Sequence, residues 1–361
     1  MNITSYNITD VGYHYIGLRV VAAMPDASRE SQFAAVSKNV AKYSVERALR
    51  LLLPEPRSDF TSVGEKVLQE LKHLNLARPV RGEGYQLTEF GTLALETLNA
   101  KNFPSLRRLM TKAHLETYDN LRDVVLHYIR RGPLMYPIVE TARGRDRSYL
   151  TALLRPTFGE RSEEILESLA SEIGAASPKK VEDAMRAAIL SHRLPDTKLS
   201  VPLFRAMGDR LVSLRLVNVM RMQLSGCEFE KSYSPCVENS PRNWHRELLV
   251  TPEEVPPVRL YLSEPDMTDS VMQQKLLDAV NQSFTALCDA AGYYDLPDVR
   301  DFVCDKLMIP EAAFDEGINE LLDRRPSPLT LGLQYEHISG RRKPLVRTRE
   351  STQIYNLIRR P

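Results

Sequence analysis

The side chains that could do chemistry are dispersed along this chain. Seven histidines occur, His14, His73, His114, His127, His192, His245 and His337, and none falls in the His-Glu-x-x-His spacing that puts two ligands on one helix face. Cys227, Cys236 and His245 are separated by nine residues at each step, too far for the close cysteine pair of a zinc finger. There is no Gly-x-x-x-x-Gly-Lys-Ser/Thr loop, Gly-x-Gly-x-x-Gly turn or Gly-x-Ser-x-Gly elbow. Adjacent acids such as Glu163 with Glu164 and Glu253 with Glu254 read as helix N-termini or linker, where negative charge suits the dipole or simple solvation. The Arg-Gly-Arg-Asp-Arg run at 143–147 reads as a charged loop, and the single Trp244 as a packing anchor. The expectation is a non-enzymatic chain with no cofactor and no metal. What remains is ionic chemistry, carried by lysines and arginines that can grip phosphate.

Composition narrows the setting. The 361 residues, 43% hydrophobic and 26% charged, have ordinary globular usage and length enough for several domains. Net charge is only +1, so a nucleic-acid surface must come from local segregation of charge. No apolar run approaches the roughly 18–20 residues that cross a bilayer, and no membrane partner is expected. Four scattered cysteines, Cys227, Cys236, Cys288 and Cys304, suggest a reducing interior. The first residues lack a basic n-region and are broken by Arg19, so the Asn-Ile-Thr triplets at Asn2 and Asn7 read as chance and the expected location is cytoplasmic.

Helical periodicity positions most of these residues, and strand signals are short and paired. Residues 61–99 hold an amphipathic helix with Val67, Leu68, Leu71 and Leu74 inward, a break at Asn75, a strand Leu76–Val80, a turn at 81–84, a strand Tyr85–Thr88 and a helix from Glu89 capped by Thr88. The pattern returns at 201–234. A helix bearing Phe204, Met207, Leu211 and Leu214 precedes a strand Val217–Gln223, the tight turn Ser225-Gly226 and a strand Cys227–Tyr233. A third copy at 310–348 has Phe314, Ile318, Leu321 and Leu322 inward, then strands Leu329–His337 and Pro344–Thr348 around a loop containing Arg341, Arg342 and Lys343.

Helix, strand, glycine-bearing turn and strand form the C-terminal half of a winged helix, and at these residues the chain resembles the winged-helix superfamily. The fold class expected is mainly α with small β-hairpins (α+β), built as tandem winged-helix domains. The units expected are a winged-helix domain at 1–116, a helical, degenerate unit at 117–176, a winged-helix domain at 177–236, a linker at 237–258 and a C-terminal winged-helix domain at 259–361. Each winged-helix unit is expected to be a module in its own right.

The resemblance implies that a third helix enters the major groove of double-stranded DNA while the wing follows phosphate. On this reading Arg81, Arg205, Arg210, Arg341, Arg342, Lys343 and Arg347 contact phosphate, and Ser62, Lys66 and Lys72 reach base edges. Further basic clusters lie at Arg107, Arg108 and Lys112 and at Arg130, Arg131, Arg143, Arg145 and Arg147. The last copy is polarised. Residues 251–323 carry 16 acids against 4 bases, whereas 324–361 carry 9 bases against 2 acids. That asymmetry supports an alternative, a protein-docking subunit of a prokaryotic assembly, by analogy a mobile-element or anti-phage (antiviral defense) system, whose partners come from the same operon.

Overall fold

The computed structural model describes residues 2–3, 10–50, 60–80, 84–144, 146–170, 177–195, 199–238, 242–251, 258–287, 293–324, 326–333, 346–347 and 354–359. Asp10 opens helix α1 (Val11–Ala23) by accepting a hydrogen bond from the Gly12 amide at 2.8 Å. Helices α2 (Arg29–Arg50) and α3 (Val63–His73) follow. They cross closely at Gly64, where a Cβ would sit 2.1 Å from the Phe33 carbonyl oxygen. Val67, Leu68, Leu71 and Leu74 are buried, as their spacing predicts. Asn75 then takes a left-handed conformation (φ 55) and the Leu76 amide donates back to the Leu71 carbonyl, which ends the helix and aims the chain into a hairpin. That hairpin pairs β1 (Ala77–Pro79) with β2 (Tyr85–Leu87) and leads into α4 (Glu89–Asn99). Thr88 caps α4, its hydroxyl oxygen accepting from the Gly91 amide.

Helices α5 (Phe103–Thr117) and α6 (Asp119–Arg131) come next, then a strand β3 (Leu134–Pro137). Helices α7 (Arg147–Phe158), α8 (Ser162–Ser168), α9 (Pro178–Arg193) and α10 (Val201–Ser213) precede β4 (Asn218–Leu224) and β5 (Cys227–Tyr233). After α10 the same exit recurs, with Arg215 at φ 59 and the Leu216 amide donating to the Leu211 carbonyl. Ser225 and Gly226, both at positive φ, make the tight turn that puts Leu224 opposite Cys227. The sheet has the order β3-β5-β4, with the returning strand in the middle.

The remainder comprises β6 (His245–Thr251) paired with β7 (Val258–Ser263), then α11 (Ser270–Ala286), β8 (Tyr293–Asp295), α12 (Leu296–Leu307), α13 (Glu311–Asp323), β9 (Thr330–Leu333), β10 (Val346–Arg347) and β11 (Ile354–Arg359). Here too the returning strand is central, since β11 pairs with β8, β9 and β10. The chain is thus mainly helical with small antiparallel sheets.

Three expectations are revised by this topology. No wing strand was expected within 117–176, yet β3 lies there and pairs with β5, so one sheet joins residues on both sides of position 176. The stretch 237–258 contains β6, whose alternation is completed by pairing with β7. The described strand that returns alongside β9 is Ile354–Arg359, and of the expected Pro344–Thr348 the described residues, Val346 and Arg347, pair with Ile354–Arg359 as well.

The apolar side chains gather in three clusters. The first joins α1, α2 and α3 to α5, α6, α9 and α10 and reaches Leu260 and Leu262 of β7, so the N-terminal and middle helix-hairpin units share a core. The expectation of a module enclosing its own interior does not hold for that pair. A second cluster lies within the last unit, around Leu276, Phe284, Val299 and Phe314. A third packs α7, α8 and α9 under Cys227 and Phe229 of the central sheet.

Candidate nucleic-acid interface

Helix α3 presents an open polar face. Ser62, Glu65, Lys66, Gln69, Lys72 and His73 are exposed, while Gly64, Val67, Leu68, Glu70 and Leu71 are buried. At about 100° per residue the exposed set occupies an arc of about 120°, with Ser62, Gln69 and His73 nearer its centre, Lys66 at one edge and Lys72 at the other. Glu65 is held at the edge, accepting from Gln69 at 3.0 Å and lying 3.6 Å from Arg29. No ion pair with a described residue engages Lys66 or Lys72. Arg78 on β1 adds an exposed cation beside the helix. The structure therefore brings Ser62, Lys66 and Lys72 together on one surface. Gln69, one helical turn beyond Lys66, belongs to the same face and was legible from spacing alone.

Arg210 is a correction. It is 0% exposed, and its Nη2 donates to both oxygens of Glu70 at 2.9 Å. His14 donates to the same carboxylate through Nε2 at 2.6 Å, and the Tyr118 ring lies 5.5 Å from the guanidinium. Burial alone would raise the Glu70 carboxyl. The hydrogen bond and charge of His14, joined by those of Arg210, instead hold it well below the usual carboxylate range. Burial, then the neighbouring Arg210 charge, pushes His114 well below the usual imidazole value, and its Nδ1–H donates to the Met110 carbonyl at 2.7 Å. This buried cluster welds α1 and α3 to α10 and α5. It is sealed from solvent, so Arg210 cannot meet a phosphate.

The other expected contacts disperse. Arg205 is 36% exposed and is engaged by Asp183 at 2.9 Å. Arg81, Arg341, Arg342 and Lys343 lie outside the described residues, and of Arg347 only the backbone, paired in β10, is described. The accessory basic clusters are largely committed within the fold. Arg107 donates to the carbonyls of Ser263 and Arg215, Arg130 makes a two-pronged pair with Glu238 at 2.7 and 2.8 Å, and Arg147 pairs with Glu167 at 2.6 Å.

The outer face of α10 also differs from that of α3. Together with β4 and β5 it forms one wall of a groove of about 1230 Å³, whose opposite wall is the end of α11 and the acidic face of α12. Asp298, Asp301, Asp305 and Glu311 line it together with Arg205, Asp209 and Val212. The units meet at Lys231, which donates to both oxygens of Asp305 at 2.7 and 2.9 Å, and at Asn218, which donates to the Ile309 carbonyl at 2.8 Å. The third helix of the last unit, α13, is largely enclosed, with Glu316 and Asp323 its exposed residues. Of the three helices that could serve as readers, α3 alone among the described residues offers a cationic face to solvent.

Cys227, Cys236 and Cys304 are buried thiols in no disulfide, and among the described residues no group of histidine, cysteine and carboxylate side chains could hold a metal ion. No described helix is long and apolar enough to cross a membrane. Comparison with family models, with curated proteins and with solved structures gives no match.

Proposed function

We propose that this chain is a non-enzymatic protein of tandem winged-helix units that binds double-stranded DNA mainly through phosphate, with the first unit as the contacting one. The observation that carries the reading is the open face of α3, where Lys66 and Lys72 stand clear of any described ion pair beside Ser62 and Gln69. A helix with this face, followed by a short hairpin bearing the exposed Arg78, offers cations to the backbone and amide and hydroxyl groups to base edges. The recurrence of helix, left-handed exit and hairpin after α3 and α10 supports the winged-helix reading. So does the central returning strand in the middle and last sheets. With no second open cationic reader helix among the described residues, specificity in this arrangement is modest and phosphate neutralisation supplies most of the affinity.

The test is a titration of a fluorescein-labelled duplex of mixed sequence at a series of salt concentrations. Affinity falls as salt rises. Lys66→Glu with Lys72→Glu weakens binding across sequences and flattens the logarithmic salt slope by about one per lysine. No binding at low salt, or a slope that ignores the double substitution, removes the reading. The docking alternative finds its support elsewhere, in the groove beside α10.

A further inference from the structure

The groove between α10, the β4–β5 hairpin and α12 has a chemistry opposite to that of the α3 face. Carboxylates outnumber cations in its lining, with Asp209 and Glu228 from the middle unit and Asp298, Asp301, Asp305 and Glu311 from the last. Pairs within the fold engage both signs, Arg186 with Glu182 and Glu230, Arg205 with Asp183 and Asp305 with Lys231, and the lining as a whole carries eight carboxylates against three guanidiniums. Such walls repel a duplex and attract a cationic chain.

Two further features point to an occupant. Val212 on α10 and Leu287 at the end of α11 contribute to the lining, and each is 38% exposed. Met220 and Met222 line it as well, and methionine adapts to irregular apolar surfaces. The groove, open and larger than the roughly 300–1,000 Å³ of a small-molecule pocket, suits a length of chain.

We propose that this groove receives a basic, amphipathic helical segment of a partner protein, its apolar side against Val212 and Leu287 and its lysines or arginines against the carboxylates of α10 and α12. This is the helix-in-groove mode of recognition, with apolar anchors for affinity and charge for selection. It rests on the docking reading of the chain and is independent of the DNA reading at α3.

The probe is a fluorescein-labelled helical peptide of leucine and lysine with one apolar face, compared at near-physiological salt with its glutamate analogue, using anisotropy and the full chain. The lysine peptide binds and the glutamate peptide does not. Asp209→Lys with Asp298→Lys, both at exposed helix positions, weakens binding about tenfold or more. Val212→Ser weakens it with charge unchanged, and Lys66→Glu with Lys72→Glu leaves it as it was. Equal binding of both peptides, no binding of either, or full binding by the Asp209→Lys/Asp298→Lys and Val212→Ser chains overturns the proposal. The docking reading fails separately. A native partner that co-purifies with the doubly reversed chain as with the parent leaves docking standing and sinks the groove. A parent chain that seats the lysine peptide yet co-purifies with no product of its operon removes docking alone.

Discussion

Arg210 and Glu70 face each other across the seam between the N-terminal and middle units, 140 residues apart in sequence and both almost fully buried. Removing one charge leaves the other stranded in a medium that solvates it poorly. Arg210→Met is therefore expected to cost about 3–5 kcal/mol in a urea melt. Glu70→Gln is expected to destabilise less, because an amide can still accept from His14 and Arg210. Pairing Arg210→Met with Glu70→Leu should cost less than the sum of the single substitutions, since the double change removes both charges together. Additive costs would mean that the two groups do not act as a pair. The sequence disclosed part of this. Arg205 and Arg210, five residues apart, stand about 140° apart around α10 and cannot share one face, and Arg215 lies past the helix end. That Arg210 is the one turned inward was not legible, because the carboxylate that receives it belongs to a distant helix. Lys66 and Lys72 were legible for the opposite reason, since their exposure follows from the local apolar stripe of α3.

At the scale of the element, one hydroxyl closes two pieces of structure. Thr88 accepts from the Gly91 amide at 3.0 Å, capping α4, and donates to the Asn75 carbonyl at 2.6 Å, fastening the left-handed exit of α3. Thr88→Val keeps the shape and loses both bonds, with an expected cost of about 1–2 kcal/mol by chemical denaturation. Thr88→Ser, which keeps the hydroxyl, should retain most of that stability, and equal losses in the two variants would show that packing of the methyl group is what matters. The cap was readable because Thr stands just before a new apolar period. The β4–β5 hairpin was readable because alternation and Ser225-Gly226 fix strand and turn within one short window. β3 was not. It is four residues long, and its pairing is decided by β5, which follows some distance later in the chain. The strand opposite β9 was misplaced for the same reason, since more than one downstream stretch had strand character and only the sheet chose between them.

At the scale of the whole molecule, the first and second cores are distinct, and the contacts across the seam between them include several polar ones. Besides Lys231 with Asp305 and Asn218 with Ile309, Ser263 donates to the Met308 carbonyl at 3.2 Å and Arg242 to the Leu307 carbonyl at 2.5 Å. Polar contacts of this kind couple two bodies less tightly than a shared apolar core. Two calorimetric transitions are expected, and Arg210→Met should lower only the one that melts the N-terminal and middle units. Acid should select the same transition. Burial, then the charges of Arg193 and Arg131, pushes His127 down to about 4, and His114 is depressed as well. A histidine depressed in the folded state contributes stability that is complete above its unfolded value of 6.5 and is lost as the pH falls toward the folded value, because the unfolded chain takes up the proton first. Both residues lie in helices that contribute to the first core, α5 and α6. The Arg210-sensitive transition should therefore fall in temperature between pH 6.5 and about 4, and His127→Gln should make that fall shallower. A single transition throughout would mean that the seam couples the two bodies as firmly as a continuous core does, and an acid response unchanged by His127→Gln would mean that His127 does not carry it.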